Sequence, residues 1–137
     1  MKTQGWEKRL ADYFEEMRDK PFKRGVNDCA LFAGNCVDLM TGLNTTEEFR
    51  RPYKSRKQAY TLLKELGYND LTAVAMKKLG DPLPGVAYAK RGDVVLVEYD
   101  GQDALAIVDL SGKHAATVGK DGLMYFDMKY WSKAWEV

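Results

Sequence analysis

The hydrophobic period of this chain changes once, at Asp81-Pro82-Leu83-Pro84-Gly85, and that change constrains the fold more than any other feature. Two prolines in five residues remove backbone donors and fix the dihedrals, so neither a helix nor a sheet interior continues through them. Before this joint, apolar residues recur at helical spacing. Trp6, Leu10, Tyr13, Phe14 and Met17 predict a helix over about 5–18, and Ala30 to Met40 are apolar nearly all round, which predicts a buried helix from about Cys29 to Met40. Ser55 is placed to cap a third helix carrying Ala59, Leu62, Leu63 and Leu66, and Asp70 to start a short fourth through Val74, Ala75 and Leu79. After the joint the runs are short and strand-like: Val94 to Val97, Ala104 to Val108, His114 to Val118, and Leu123 to Phe126. Tyr99-Asp100-Gly101-Gln102-Asp103, Ser111-Gly112 and Gly119-Lys120-Asp121-Gly122 are the turns between them, which predicts an antiparallel meander. Helices first and strands afterwards make an α+β fold, with the helical part at 1–80, the sheet part at 92–137, and the buried helix packed on the sheet. A chain of 137 residues is expected to form one domain around one core.

The stretch Gly25-Val26-Asn27-Asp28-Cys29-Ala30-Leu31-Phe32 sets a cysteine where a loop enters the buried helix. Asn27 or Asp28 is positioned to cap the free N–H groups of the first turn. Those N–H groups and the helix dipole favour a thiolate at Cys29, which makes it a candidate nucleophile. Cys36 lies deeper in the same apolar helix and reads as a packing residue. Seven residues at about 1.5 Å rise put the two sulfurs roughly 10 Å apart, beyond disulfide reach, so both are expected to be free. With two cysteines and one histidine, a Cys/His zinc site lacks ligands, and no metal or other cofactor is expected.

Composition excludes several classes. The formal net charge is +1, without the basic excess of a protein that neutralises nucleic-acid phosphates. The local exception is Arg50-Arg51-Pro52-Tyr53-Lys54-Ser55-Arg56-Lys57, which reads either as a solvated loop and helix start or as a site for an acidic partner. No apolar run approaches the roughly 20 residues that cross a bilayer. Met1 to Glu7 lead into an amphipathic helix without the apolar stretch of a signal peptide, so the chain is expected to be made and first kept in a cytoplasm. Trp6, Trp131 and Trp135 read as core or interface anchors. There is no Cys-x-x-Cys pair and no glycine-rich phosphate loop.

A cysteine at the start of a central helix, with Arg91-Gly92-Asp93 opening an antiparallel sheet, resembles the NlpC-type cell-wall cysteine peptidases, whose core is papain-like. Asp28-Cys29 matches the Asp-Cys pair of that family, and Gly92-Asp93 matches its Gly-Asp before the first strand. The chain is more similar still, over nearly its whole length, to small phage tail proteins of this superfamily. Pro21-Phe22, Gly25 to Phe32, Thr41-Gly42, Tyr53 with Ala59, Arg91-Gly92-Asp93, Asp121-Gly122-Leu123 and Ala134-Trp135 carry that likeness.

One departure bears on function. In the peptidases a histidine opens the second strand and serves as base for the cysteine; the matching run here is Ala104-Leu105-Ala106-Ile107, with Ala104 at the histidine position. A polar residue across the next strand orients that base, and counting through the turn puts Ala116 there. Neither alanine holds a proton. The sole histidine, His114, is about ten residues from Ala104, roughly 30 Å of extended chain, and is at best a weak candidate base. Asp93, Asp100 and Asp103 disfavour a nearby thiolate and read as strand-end and turn residues. The resemblance therefore implies a virion component of a phage tail tip or baseplate, assembled in the host cytoplasm. It would contact hub or distal tail proteins and keep a peptidase-like fold without its chemistry. The alternative it implies is an active cysteine hydrolase that cuts peptidoglycan during genome delivery.

Overall fold

A computed structural model describes residues 1–50 and 53–137; Arg51 and Pro52 of the basic stretch lie outside the described residues. Four helices precede five strands, so the chain is α+β: α1 at Trp6–Met17, α2 at Cys29–Thr41, α3 at Arg56–Glu65 and α4 at Leu71–Leu79. The strands are β1 at Val94–Tyr99, β2 at Gln102–Val108, β3 at His114–Gly119, β4 at Gly122–Asp127 and β5 at Trp131–Trp135. Three short 3-10 turns sit at Glu47–Phe49, Val86–Tyr88 and Met128–Tyr130.

The helix starts follow capping chemistry. Asp28, Ser55 and Asp70 each take an extended conformation and accept a bond from the backbone N–H three residues on, satisfying a donor that the first turn leaves free. Gly42, at φ +80°, ends α2, and its N–H bonds the Asp38 carbonyl. Helix α2 is the centre of the molecule: Leu31, Phe32, Ala33, Cys36, Val37 and Met40 are all buried. Tyr13 and Phe14 of α1 close over Phe32, each ring centroid 5.7 Å away. On the other flank Asp38 accepts from Thr45 N and Oγ1, both at 2.7 Å, and from Thr46 Oγ1 at 3.1 Å, which ties the following loop back to the helix.

The sheet is antiparallel in the order β4-β3-β2-β1-β5. Four of its strands form the expected meander, and β5, which the sequence pattern does not mark, returns to pair with β1. That pairing carries a bulge at Leu96/Val97, where Ser132 is the extra residue and its Oγ donates to the Leu96 carbonyl. The turn between β1 and β2 is tighter than the five-residue turn expected: only Asp100 and Gly101 lie between the strands, both at positive φ.

Both faces of the sheet are covered, which explains why Val94 to Val97 read as one apolar run. Val94, Leu96, Leu105, Ile107, Val118 and Trp135 face α2 and α1. Val95, Val97, Ala106, Val108, Ala115, Phe126, Trp131 and Ala134 form a second cluster on the opposite face. The proline-rich joint supplies that second cover: Leu83, Val86 and Ala89 pack on it, and Leu83 N donates to the Ala134 carbonyl at 2.7 Å. The joint is thus part of the core as well as a link between its halves. Among the described residues, no helix is long and apolar enough to cross a membrane.

Candidate functional site

Cys29 is the first residue of α2, directly after its cap. The cap carboxylate is heavily engaged. Asp28 Oδ1 accepts from Leu31 N at 3.0 Å, while Oδ2 accepts from Gly25 N at 2.9 Å and from the Tyr53 hydroxyl. Gly25 has φ +79°, and a Cβ there would lie 2.1 Å from the Tyr53 carbonyl oxygen, so only glycine lets the two loops close this way. Lys23 and Asn27 form a small bridge that shapes the loop, and Asn27 Nδ2 donates to the Lys20 and Pro21 carbonyls. Asp28 is therefore an architectural acid whose lone pairs are spent on its own loop, its own helix and Tyr53.

The expected thiolate does not survive this packing. Cys29 is half-buried, and desolvation of its thiol pushes it up to about 11, aided by the neighbouring Asp28 charge. The backbone N–H groups of Leu105 and Ala30, and the charge of Arg24, pull the other way and do not offset it. The helix start does favour the anion, as the sequence suggested, but desolvation outweighs it. Cys36, in the core, is raised well above its ordinary value by burial, and both thiols are free. The Tyr53 phenol is also driven upward, first by burial and then by its bond to the Asp28 carboxylate, so it stays protonated and donates.

The other sequence-marked positions do not converge on the sulfur. Ala104 pairs with Val97 and packs with the second cluster, on the face turned away from α2. Ala116 pairs with Ile107, whose side chain faces α2. The two alanines therefore occupy opposite faces of the sheet and are not cross-strand neighbours. The count through the turn fails because β2 and β3 pair Ile107 with Ala116. Carried along the strands, that register sets Ala104 three residues away from the position opposite Ala116. What β2 presents to Cys29 is the Leu105 peptide N–H.

His114 is exposed at the start of β3, opposite Asp127, and its carbonyl accepts from Asp109 N. Asp109, just past the end of β2, lies four residues beyond Leu105, roughly 13 Å along the chain, so the imidazole lies well away from Cys29. Gly92 and Asp93 also lie apart from the sulfur. Gly92 has φ +86°, and a Cβ there would press on Lys2, Trp6 and Met40. The Asp93 carboxylate is buried, accepting from Lys90 N at 2.8 Å and Val137 N at 3.1 Å, with Lys2 Nζ 3.6 Å away. Lys2 also donates to the Val137 carbonyl, so this corner fastens both chain ends to β1.

Tyr53 and the Leu105 N–H are the contributions that the sequence reading did not assign to this site. The first was marked in the sequence as an aromatic residue set among cations and as one of the residues carrying the resemblance, but with no role at this site; the second is a backbone group and leaves no mark in the sequence. Behind the corner, an apolar pocket of about 40 Å³ lies between α2, α4, the 45–49 loop and the sheet, lined by Ala30, Ala33, Gly34, Val74 and Leu105 among others. Among the described residues, no carboxylate, imidazole or thiol lines it. Among the described residues, no group of three or more His, Cys, Asp or Glu is arranged to hold a metal ion.

A protein-family model described as a domain of unknown function, DUF6950, matches residues 1–137, the entire chain. The chain belongs to the DUF6950 family. No curated protein matches it. The corner around Asp28, Cys29 and Tyr53 is thus described for this DUF6950 member by its own geometry: a capped helix start, a protonated thiol, and a buried acid with structural partners.

Proposed function

We propose that this chain is a structural subunit of a phage tail tip or baseplate. In this role it is a docking module that keeps a cysteine-peptidase-like scaffold without the chemistry. The carrying observation is the state of Cys29: burial raises its thiol to about 11, and the sole imidazole lies well away from it. A nucleophilic cysteine needs a lowered pKa or a base within hydrogen-bond reach, and this corner supplies neither. The acids kept from the peptidase-like pattern, Asp28 and Asp93, hold loops and chain ends together. A scaffold can outlive its activity, because function belongs to the site and not to the fold. The tail hub and distal tail proteins are the proposed partners, and the virion is the proposed location.

One observation favours a second reading. The N–H groups of Leu105 and Ala30 act on the Cys29 sulfur, as donors in a cysteine hydrolase would to stabilise negative charge. In that reading Cys29 attacks an amide carbonyl of peptidoglycan, and His114 or a residue of a partner subunit takes the thiol proton. Cys29→Ala, introduced into the phage that encodes the chain, separates the two. Unchanged infectivity and unchanged incorporation into virions are expected for the docking role. Normal virions that fail to infect, with lost cell-wall digestion, overturn it.

A further inference from the structure

The cations around the Cys29 corner are concentrated with little counter-charge, whereas those elsewhere are either paired with carboxylates or, like Lys77, Lys113 and Lys133, scattered along the chain. Lys8 pairs with Asp12 at 2.7 Å, Arg18 with Glu15 at 3.0 Å, Lys78 with Glu48 at 2.8 Å and Arg91 with Glu7 at 3.3 Å. Lys20, Lys23, Lys54, Arg56 and Lys57 have no carboxylate at ion-pair distance among the described residues, and all five are exposed. Arg24 lies over the Phe22 ring, 5.1 Å from its centroid. The fold brings these residues together from two parts of the chain. Gly25 packs on the Tyr53 carbonyl, Asp28 holds the Tyr53 hydroxyl, and Lys54 follows immediately. Of 21 Lys and Arg and 20 Asp and Glu in the chain, residues 20–28 and 53–57 contain six and one. That one is the buried Asp28, which leaves 15 cations against 19 carboxylates on the rest of the molecule. Large apolar side chains are exposed on the same segments or one turn beyond: Phe22 at 39%, Val26 at 67% and Tyr60 at 51%.

We infer that the 20–27 loop and the first turn of α3 form a docking surface for an acidic peptide segment that also carries apolar side chains. Unpaired cations attract the carboxylates, and Phe22, Val26 and Tyr60 offer the apolar contact that a purely ionic surface lacks. A peptide fits better than a nucleic acid, because the net negative remainder of the molecule repels a polyanion longer than the patch. The inference deepens the docking role proposed above and names the chemistry of its partner.

The test uses the full chain and three labelled probes of similar length or charge: a peptide of alternating glutamate and leucine, an oligothymidylate, and vesicles of phosphatidylglycerol. The peptide is expected to bind best, with affinity falling about tenfold between low and high salt as the charges are screened. The triple reversal Lys23→Glu, Lys54→Glu, Lys57→Glu is expected to weaken peptide binding at least about tenfold. Reversal of Lys77, Lys113 and Lys133, exposed elsewhere, is expected to leave it within about twofold. Peptide binding that ignores both salt and the first reversal overturns the inference, as does tighter binding of oligothymidylate or vesicles. The salt series on the unaltered protein decides the matter even if the reversed variant folds poorly. A phage that needs Cys29 for infection would overturn the docking role and leave these binding results standing, so the two failures are distinguishable.

Discussion

The Gly92–Asp93 corner and the Asp28–Cys29 corner are built from the same parts, a positive-φ glycine and a buried carboxylate that accepts from backbone N–H groups, yet they do different things. Asp93 joins distant points of the chain, because Lys2 and Val137 both meet it and fasten the two ends to β1. Asp28 works locally on the 25–31 turn and reaches outward only to Tyr53. The first corner has no reactive neighbour, whereas the second has a thiol directly after the acid and two N–H groups acting on it. Burial still decides the outcome there. A buried carboxylate beside a positive-φ glycine is thus compatible with architecture alone, even with a thiol directly after it.

The sharpest way to break this comparison is to remove each acid. Asp93→Ala strands Lys2 and two backbone donors in a buried corner and is expected to cost about 3 kcal/mol or more by urea denaturation. Asp28→Ala loses the cap and the partner of the Tyr53 hydroxyl, at an expected cost of about 2 kcal/mol. Equal, negligible losses would mean that neither corner is structural.

Alkaline pH separates the corners in another way. The folded state holds the Cys29 thiol at about 11, above its ordinary 9.0, so it binds the proton more tightly than the unfolded chain does. The resulting stability is complete below pH 9 and is lost as pH rises through 11, by at most about 3 kcal/mol. Thermal unfolding of the parent chain and Cys29→Ala across that window is expected to show the shallower decline in the variant. A parallel decline would remove burial as the cause. The smallest effect is expected at the exposed start of β3, where His114→Ala should change stability by less than about 0.5 kcal/mol.

Much of this architecture was legible in the residues because its signals are local. Caps at Asp28, Ser55 and Asp70, the terminating Gly42, and the change of period at the proline joint each act within a turn or two. Strand β5 escaped because Trp131-Ser132-Lys133-Ala134-Trp135 is bulged, and a bulge breaks the alternation that marks a strand. The placement of Ala104 and Ala116 failed for a related reason: register is fixed by pairing between strands, and counting along one strand does not reveal it. The site itself was half legible. The helix start and its cap were visible, but the balance between dipole and desolvation at Cys29 depends on what packs over the sulfur, and the Leu105 peptide comes from 76 residues away.

The pH dependence of Cys29 alkylation tests the central claim most directly, measured in Cys36→Ala so that one thiol remains. Slow reaction with an apparent pKa near 11 is expected for a half-buried, protonated thiol. An apparent pKa well below about 8.5 would contradict it and return Cys29 to the role of nucleophile.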